Sequence, residues 1–336
     1  MSEIIISNLL SPVVLFFVLG LIAALVKSDL KFPTALTETL SIFLLIAIGL
    51  KGGIELSKYS LEEVYRPVVA TIALGSLLPI VVLTLVKTIK LDTKNAIGLA
   101  ATYGSVSIVT YGAAISFLDH TGVSYEGFMN AMVVLMESPA IIVSLIVLKL
   151  LERKEMGKDI YSSQKIAFAS PNTSFLDKEV LKEAFFGKSI LLLLGALLIG
   201  LVTGDTAIPV IQPLFIDLYS SVLILFLLSM GLVAGERLPE VRKHGIKLLL
   251  FGIILPIVGG ILGVLTGYII DLSLGGMTLM AVLAASASYI AAPAALRTSV
   301  PEANPSIYLG LALGITFPFN LIIGIPLYYQ FASWLL

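Results

Sequence analysis

Ser105, Ser107 and Thr110 stand in one run of small residues, and Ser286 and Ser288 stand in another. The first run continues into Gly112-Ala113-Ala114 and the second into Pro293-Ala294-Ala295. A Ser-x-Ser ahead of Gly or Pro places hydroxyls at a helix break. The helix that starts there offers backbone N–H groups to a small anion. The helix that stops there offers free carbonyls, which with hydroxyls suit a hard cation such as Na+. Small residues also let membrane helices pack closely. It is the matched pair of runs that points beyond packing to a bound solute. Glu137 precedes Ser138-Pro139, and Pro139 has no N–H for the Leu135 carbonyl, so a carboxylate and a free acceptor lie together. Glu137 is therefore either a cation ligand or proton-coupled carboxylate, or half of an ion pair with Lys51. Thr102 and Tyr289, which flank the two runs, complete the candidate ion-coupling set with Glu137.

These residues sit in a chain built for lipid. Of its 336 residues 58% are hydrophobic and 13% charged, against about 45–50% and 25% in soluble chains. The mean hydropathy is +1.04. That composition excludes a soluble enzyme and a disordered tail. A net charge of −1 gives no basic stripe for nucleic acid, and the absence of cysteine removes disulfides and thiolate chemistry. Two histidines, both in predicted loops, supply no metal site or triad, and no P-loop is present to support ATP-driven pumping. No enzymatic activity and no cofactor are expected.

Apolar runs of about 20 residues read as membrane helices, and about ten are present: 5–26, 35–57, 67–87, 95–117, 127–150, 188–204, 213–236, 246–270, 275–296 and 306–335. The first follows Met1-Ser2-Glu3 with no basic residue and no cleavage pattern, and reads as a retained span. Residues 152–187 are polar, with Ser170-Pro171-Asn172 as loop chemistry and a short amphipathic helix expected near 176–185. All Lys and Arg except Lys51, Lys58 and Arg66 fall on one side of this topology. The positive-inside rule makes that side cytoplasmic and leaves both termini outside.

The two halves also echo one another. Gly49-Leu50-Lys51-Gly52-Gly53 through Leu56 recurs as Gly231 through Leu238, Leu78-Pro79-Ile80-Val81 as Leu255-Pro256-Ile257-Val258, and Pro139 as Pro318. With the two Ser-x-Ser runs, these matches lie about 180 positions apart and keep their order. Five spans per half force the second half upside down. The expected fold is thus an all-α integral membrane protein of two inverted five-helix repeats, 1–151 and 188–336, joined by a cytoplasmic linker at 152–187. That architecture belongs to secondary transporters.

Ile48-Gly49-Leu50-Lys51-Gly52-Gly53 and Leu296-Arg297-x-x-x-Pro301-x-Ala303-Asn304-Pro305-Ser306 carry a more specific likeness. Over essentially its whole length the chain resembles the sodium-dependent bicarbonate transporters of cyanobacteria and their bacterial relatives. Met230 to Lys243 and the turn Ser124-Tyr125-Glu126 are looser matches. The resemblance implies a ten-helix inverted repeat in the cell (inner) membrane, commonly a trimer, that takes up bicarbonate with Na+. It also implies control by a PII-like protein from the cytoplasmic side, for which the linker is the expected docking segment. Two positions depart from the family pattern. Ser107-Ile108-Val109-Thr110 stands where the family has Ser-Gly-Ser-Thr, and Tyr289 stands where it has Asp. The expected function is ion-coupled uptake of a small anion, with Na+-dependent bicarbonate transport first. A Na+ or H+ symporter of another small solute, and a receptor or scaffold on the same fold, are the alternatives.

Overall fold

A computed structural model describes residues 2–162, 182 and 186–336, and every regular element among them is helical. Most of the linker 152–187, with the helix expected near 176–185, lies outside the described residues. The helices are α1 (Ser2–Leu9), α2 (Pro12–Leu25), α3 (Thr34–Leu56), α4 (Leu61–Val86), α5 (Thr93–Gly104), α6 (Ile108–Thr121) and α7 (Met129–Ser162). After the linker come α8 (Lys188–Thr203), α9 (Tyr219–Arg242), α10 (Ile246–Ile269), α11 (Leu274–Ala285), α12 (Ala291–Ser299) and α13 (Pro305–Leu335). Short helical turns over 204–217 join α8 to α9.

Local chemistry sets the ends. Ser11 caps α2 by accepting from the Val14 N–H, with Pro12 at the first helical position, where its missing N–H costs nothing. Ser60 and Glu63 form a capping box on α4. Asp92 caps α5, Ser273 caps α11 and Asn304 caps α13. Glu126 reaches from the loop before α7 to accept the Ser273 N–H at 2.6 Å, tying that loop to the start of α11. Gly122, at φ 68°, closes α6 in the left-handed conformation.

Seven of the described helices are long and apolar enough to cross a membrane, fewer than the ten apolar runs. Breaks inside the runs account for the difference. Ser11-Pro12 divides 5–26 into α1 and α2, and 275–296 is interrupted between α11 and α12. The runs 188–204 and 213–236 join through the intervening turns into one continuous helical path, Lys188–Arg242. The run 95–117 is also broken, into α5 and α6, but Thr93–Thr121 taken through the break still counts as one of the seven. His120, expected in a loop, is in the last turn of α6.

Two helix groups pack against each other. In the first, a panel, α2 lies along α9 and α3 lies along α8. In the second, a core, α4 packs on α5 and α7, α10 packs on α11 and α13, α6 lies against α11, and α12 lies against α5. In lipid there is no hydrophobic drive between helices, so contact comes from close backbone approach at small residues. Gly20 faces the Leu228 carbonyl and Gly231 faces the Phe17 carbonyl across α2–α9. Gly53 faces the Leu197 carbonyl and Gly200 faces the Leu50 carbonyl across α3–α8, in the same reciprocal manner. At Gly49 a β-carbon would lie 2.6 Å from the Leu193 carbonyl oxygen.

A side chain at these positions forces the helices apart. Gly231→Leu should lower the melting temperature in detergent, at a cost of about 1–3 kcal/mol typical of overpacking. Gly195→Ala on α8, where a β-carbon meets nothing within 4 Å, should leave it unchanged or raise it, because Ala is the better helix former.

Candidate solute and cation site

The site is made where two helices stop and two start. The chain leaves α5 at Gly104, is extended through Ser105 and Ser107, and enters α6 at Ile108. It leaves α11 at Ala285, turns through 286–290, and enters α12 at Ala291. The two breaks hold each other. The Ser107 N–H donates to Ser286 Oγ at 2.9 Å, and the Ser288 N–H donates to the Thr102 carbonyl at 2.8 Å. Ser286 Oγ in turn donates to the Leu283 carbonyl at 3.0 Å.

Each starting helix is capped from its own break. Ser107 Oγ accepts from the Thr110 N–H at 3.2 Å and lies 2.9 Å from Thr110 Oγ1. Ser288 Oγ accepts from the Ala292 N–H at 3.1 Å. The N-termini of α6 and α12 therefore converge on one region, and their dipoles favour negative charge there. Ser107, Ser288, Glu137, Tyr289 and Ser189 border a cavity of about 10 Å³ between them, room for about one water-sized species.

The two stopping helices are finished differently. At the end of α11, Asn320 Nδ2 donates to the Ala285 carbonyl at 2.8 Å, and Tyr328 donates to Asn320 Oδ1 at 2.7 Å. Asn320 opens one of two π-helical turns in α13, the irregularity that often marks a working position in a helix. At the end of α5 the Thr102 carbonyl is taken by the Ser288 N–H, but among the described residues nothing bonds the side-chain oxygens beside it. Thr102 Oγ1 and Ser105 Oγ, one turn apart on α5, and Glu137 Oε2 on the adjoining α7 are all buried without a hydrogen-bond partner. Buried polar atoms are normally paired, since leaving one unmade costs about 1–3 kcal/mol. This end of α5 thus keeps spare oxygen donors of two kinds, hydroxyl and carboxylate. Among the described residues no three His, Cys, Asp or Glu side chains cluster. A donor set of hydroxyls, carbonyls and one carboxylate matches an alkali cation better than a transition metal.

Of the residues expected from the sequence, Ser107, Ser288, Glu137 and Tyr289 come together at the small cavity, and Ser286 clamps its floor. Thr110 stands behind Ser107, and Thr102 and Ser105 lie on α5 without lining the cavity. The Tyr289 hydroxyl approaches Ser107 without a hydrogen bond of ordinary geometry. The ion pair between Glu137 and Lys51 is not formed. Lys51 Nζ lies 4.8 Å over the Tyr219 ring and in the field of Asp119 and Glu55, because α3 carries it toward its far end, away from the crossing. Arg297 is exposed in the last turn of α12. Ser189, Asn320 and Tyr328 were not anticipated. An amide in the middle of the apolar run 306–335 is a signal for Asn320; Ser189, at the edge of a span, carries none.

A second cavity, of about 520 Å³, shares Ser189, Tyr289 and Ile290 with the first and widens past Glu38, Lys188 and Arg297. Glu38 and Lys188 form an ion pair there between α3 and α8. The site thus has an open path on one side.

The family signature of the Na+-dependent bicarbonate transporter superfamily matches residues 12–333, nearly the full chain. No curated protein sequence matches it.

The crossing makes a stability prediction. Ser286→Ala strands the buried Ser107 N–H and should cost about 1–3 kcal/mol in a denaturant or thermal titration. Ser105→Ala, which removes a hydroxyl with no partner, should cost less than half as much in the same assay.

Proposed function

As a member of the Na+-dependent bicarbonate transporter superfamily, to which it belongs, the chain is a transporter-type multi-pass membrane protein, and we propose that it takes up bicarbonate with Na+ by alternating access. The observation that carries this reading is the crossing itself: two helix N-termini and two capping hydroxyls, Ser107 and Ser288, converge on one small cavity. A monovalent anion is attracted there by dipoles, without a buried cationic side chain. The coupling Na+ is held at the end of α5 by the Thr102 and Ser105 hydroxyls and Glu137 Oε2, which have no partner among the described residues. Bound together, the two ions neutralise one another, which favours their movement as a pair.

Ten spans in two inverted repeats, 1–151 and 188–336, account for the paired features. Gly20 and Gly231 answer Gly200 and Gly53 in packing, and the breaks at Ser107 and Ser288 answer each other in bonding. The positive-inside rule places Lys188 and Arg297 in the cytoplasm, so the larger cavity opens inward and both termini lie outside. The location that follows is the cell membrane. The linker 152–187 as the docking segment for a PII-like regulator, and a trimeric assembly, rest on the family resemblance.

A second reading has its own support. Tyr289 contributes a ring and an unpaired hydroxyl where an acid is expected, and Ile108 lines the cavity. A less polar solute than bicarbonate, moved with Na+ or H+, suits that wall better.

Uptake of labelled bicarbonate into proteoliposomes under an imposed Na+ gradient tests the proposal. Accumulation should rise with the inward gradient, and Ser107→Ala should lower it about 2–10-fold, the equivalent of one hydrogen bond of about 0.5–1.5 kcal/mol. Glu137→Gln should remove the response to Na+. Uptake indifferent to the gradient would refute the coupling, and uptake of a competing organic acid alone would favour the second reading.

A further inference from the structure

The boundary between panel and core is open at one end and shut at the other, and one side chain does the shutting. Tyr219, the first residue of α9 in the panel, is 4% exposed. Its hydroxyl lies against Gly112 of α6 in the core, where a β-carbon would come within 2.5 Å of it. Lys51 Nζ, 4.8 Å from the ring centre, holds the ring from α3. The neighbouring Ser220, and Ser116 one turn beyond Gly112, line a separate cavity of about 250 Å³ with Asp119 and His120. The Tyr219–Gly112 contact is therefore a partition between that outer cavity and the helix crossing.

We propose that Tyr219 seated on Gly112 is the outer gate, and that Thr37 and Pro293 form the inner gate when it opens. The proposal rests on the inverted-repeat carrier described above, because inverted halves exchange roles between the two end states. The register that pairs Gly49 with Gly231 pairs Thr37 of α3 with Tyr219. The register that pairs Ser107 with Ser288 pairs Gly112 with Pro293. Thr37 and Pro293 line the 520 Å³ cavity from α3 in the panel and α12 in the core. The counterparts of the closed contact thus both border the space that is open. Exchange of the halves brings Thr37 onto α12 near Pro293 and lifts Tyr219 from Gly112, so the side chain that closes one end has a smaller hydroxyl residue as its opposite number.

The chain has no cysteine, so paired cysteines report the gates without background. In membranes, a short bis-methanethiosulfonate reagent should bridge Gly112→Cys with Tyr219→Cys, and Thr37→Cys with Ala294→Cys, through reducible disulfides, each in a fraction of molecules. Uptake should fall in proportion to the fraction bridged, with recovery on reduction. A Thr37/Ala294 pair that never crosslinks under any Na+ gradient while uptake persists would overturn the proposal, as would full uptake with the 112/219 pair bridged. If bicarbonate is not taken up but both pairs crosslink, the gates stand and the substrate assignment falls. Gly112→Val needs no cysteine at the gate. By displacing the Tyr219 hydroxyl it should reduce maleimide labelling of Ser41→Cys, in the wall of the larger cavity, at least threefold; unchanged labelling also overturns the proposal.

Discussion

Two backbone N–H groups, those of Ser107 and Ser288, are donated across the molecule to the opposite broken helix, and the architecture is organised around them. In a bilayer a stretch of backbone that leaves the helix must find partners within the protein, because lipid supplies none. Each break here is exposed to that penalty and each is satisfied by the other. Neither α5–α6 nor α11–α12 can be broken in this way alone. The constraint explains why the segment Thr93–Thr121 is almost wholly enclosed, with 94% of its apolar window buried, while α4 and α10 carry bulky side chains such as Ile72, Ile80, Ile254 and Leu265 on their exposed faces.

The same crossing separates charge. Helix starts collect partial positive charge and helix ends partial negative charge, and the proposed anion and cation positions use these two ends of the crossing. In the proposed mechanism the cation takes the side of the crossing whose polar side chains are left unpaired. Asn320 and Tyr328 complete the end of α11, whereas the Thr102 and Ser105 hydroxyls and Glu137 Oε2 beside the end of α5 have no partner among the described residues.

Around this centre the panel and core meet through small residues and one large one. Reciprocal glycines weld α2 to α9 and α3 to α8, so those helices move as units if they move at all. The interface between panel and core is looser, filled by a cavity near Arg297 and by Tyr219 near Asp119. A rigid panel sliding or rocking on a rigid core is the motion such an interface allows.

Much of this was legible in the residues, and the reason is physical. Lipid demands apolar runs, so composition alone identified the membrane class. Ser-x-Ser ahead of Gly112 or Pro293, and the Gly49 and Gly231 runs, are local demands of helix breaking and close packing, so they appear as spacing. The ends of spans were less legible, since Ser11-Pro12 cuts a helix that hydropathy reads as continuous and the turns at 204–217 splice two runs into one. Contacts between distant parts were not legible at all. An ion pair of Lys51 with Glu137 was one of the readings open to the sequence, because both are charges in apolar runs, yet depth along α3 takes Lys51 to Tyr219 and leaves Glu137 with an unpaired oxygen. Asn320 beneath α11, Ser189 at the cavity wall and Tyr219 on Gly112 join residues from about 35 to more than 100 positions apart. A one-dimensional pattern records what each helix needs from lipid and from its own turns. Which side chain fills the space left by another is settled only when the helices are packed.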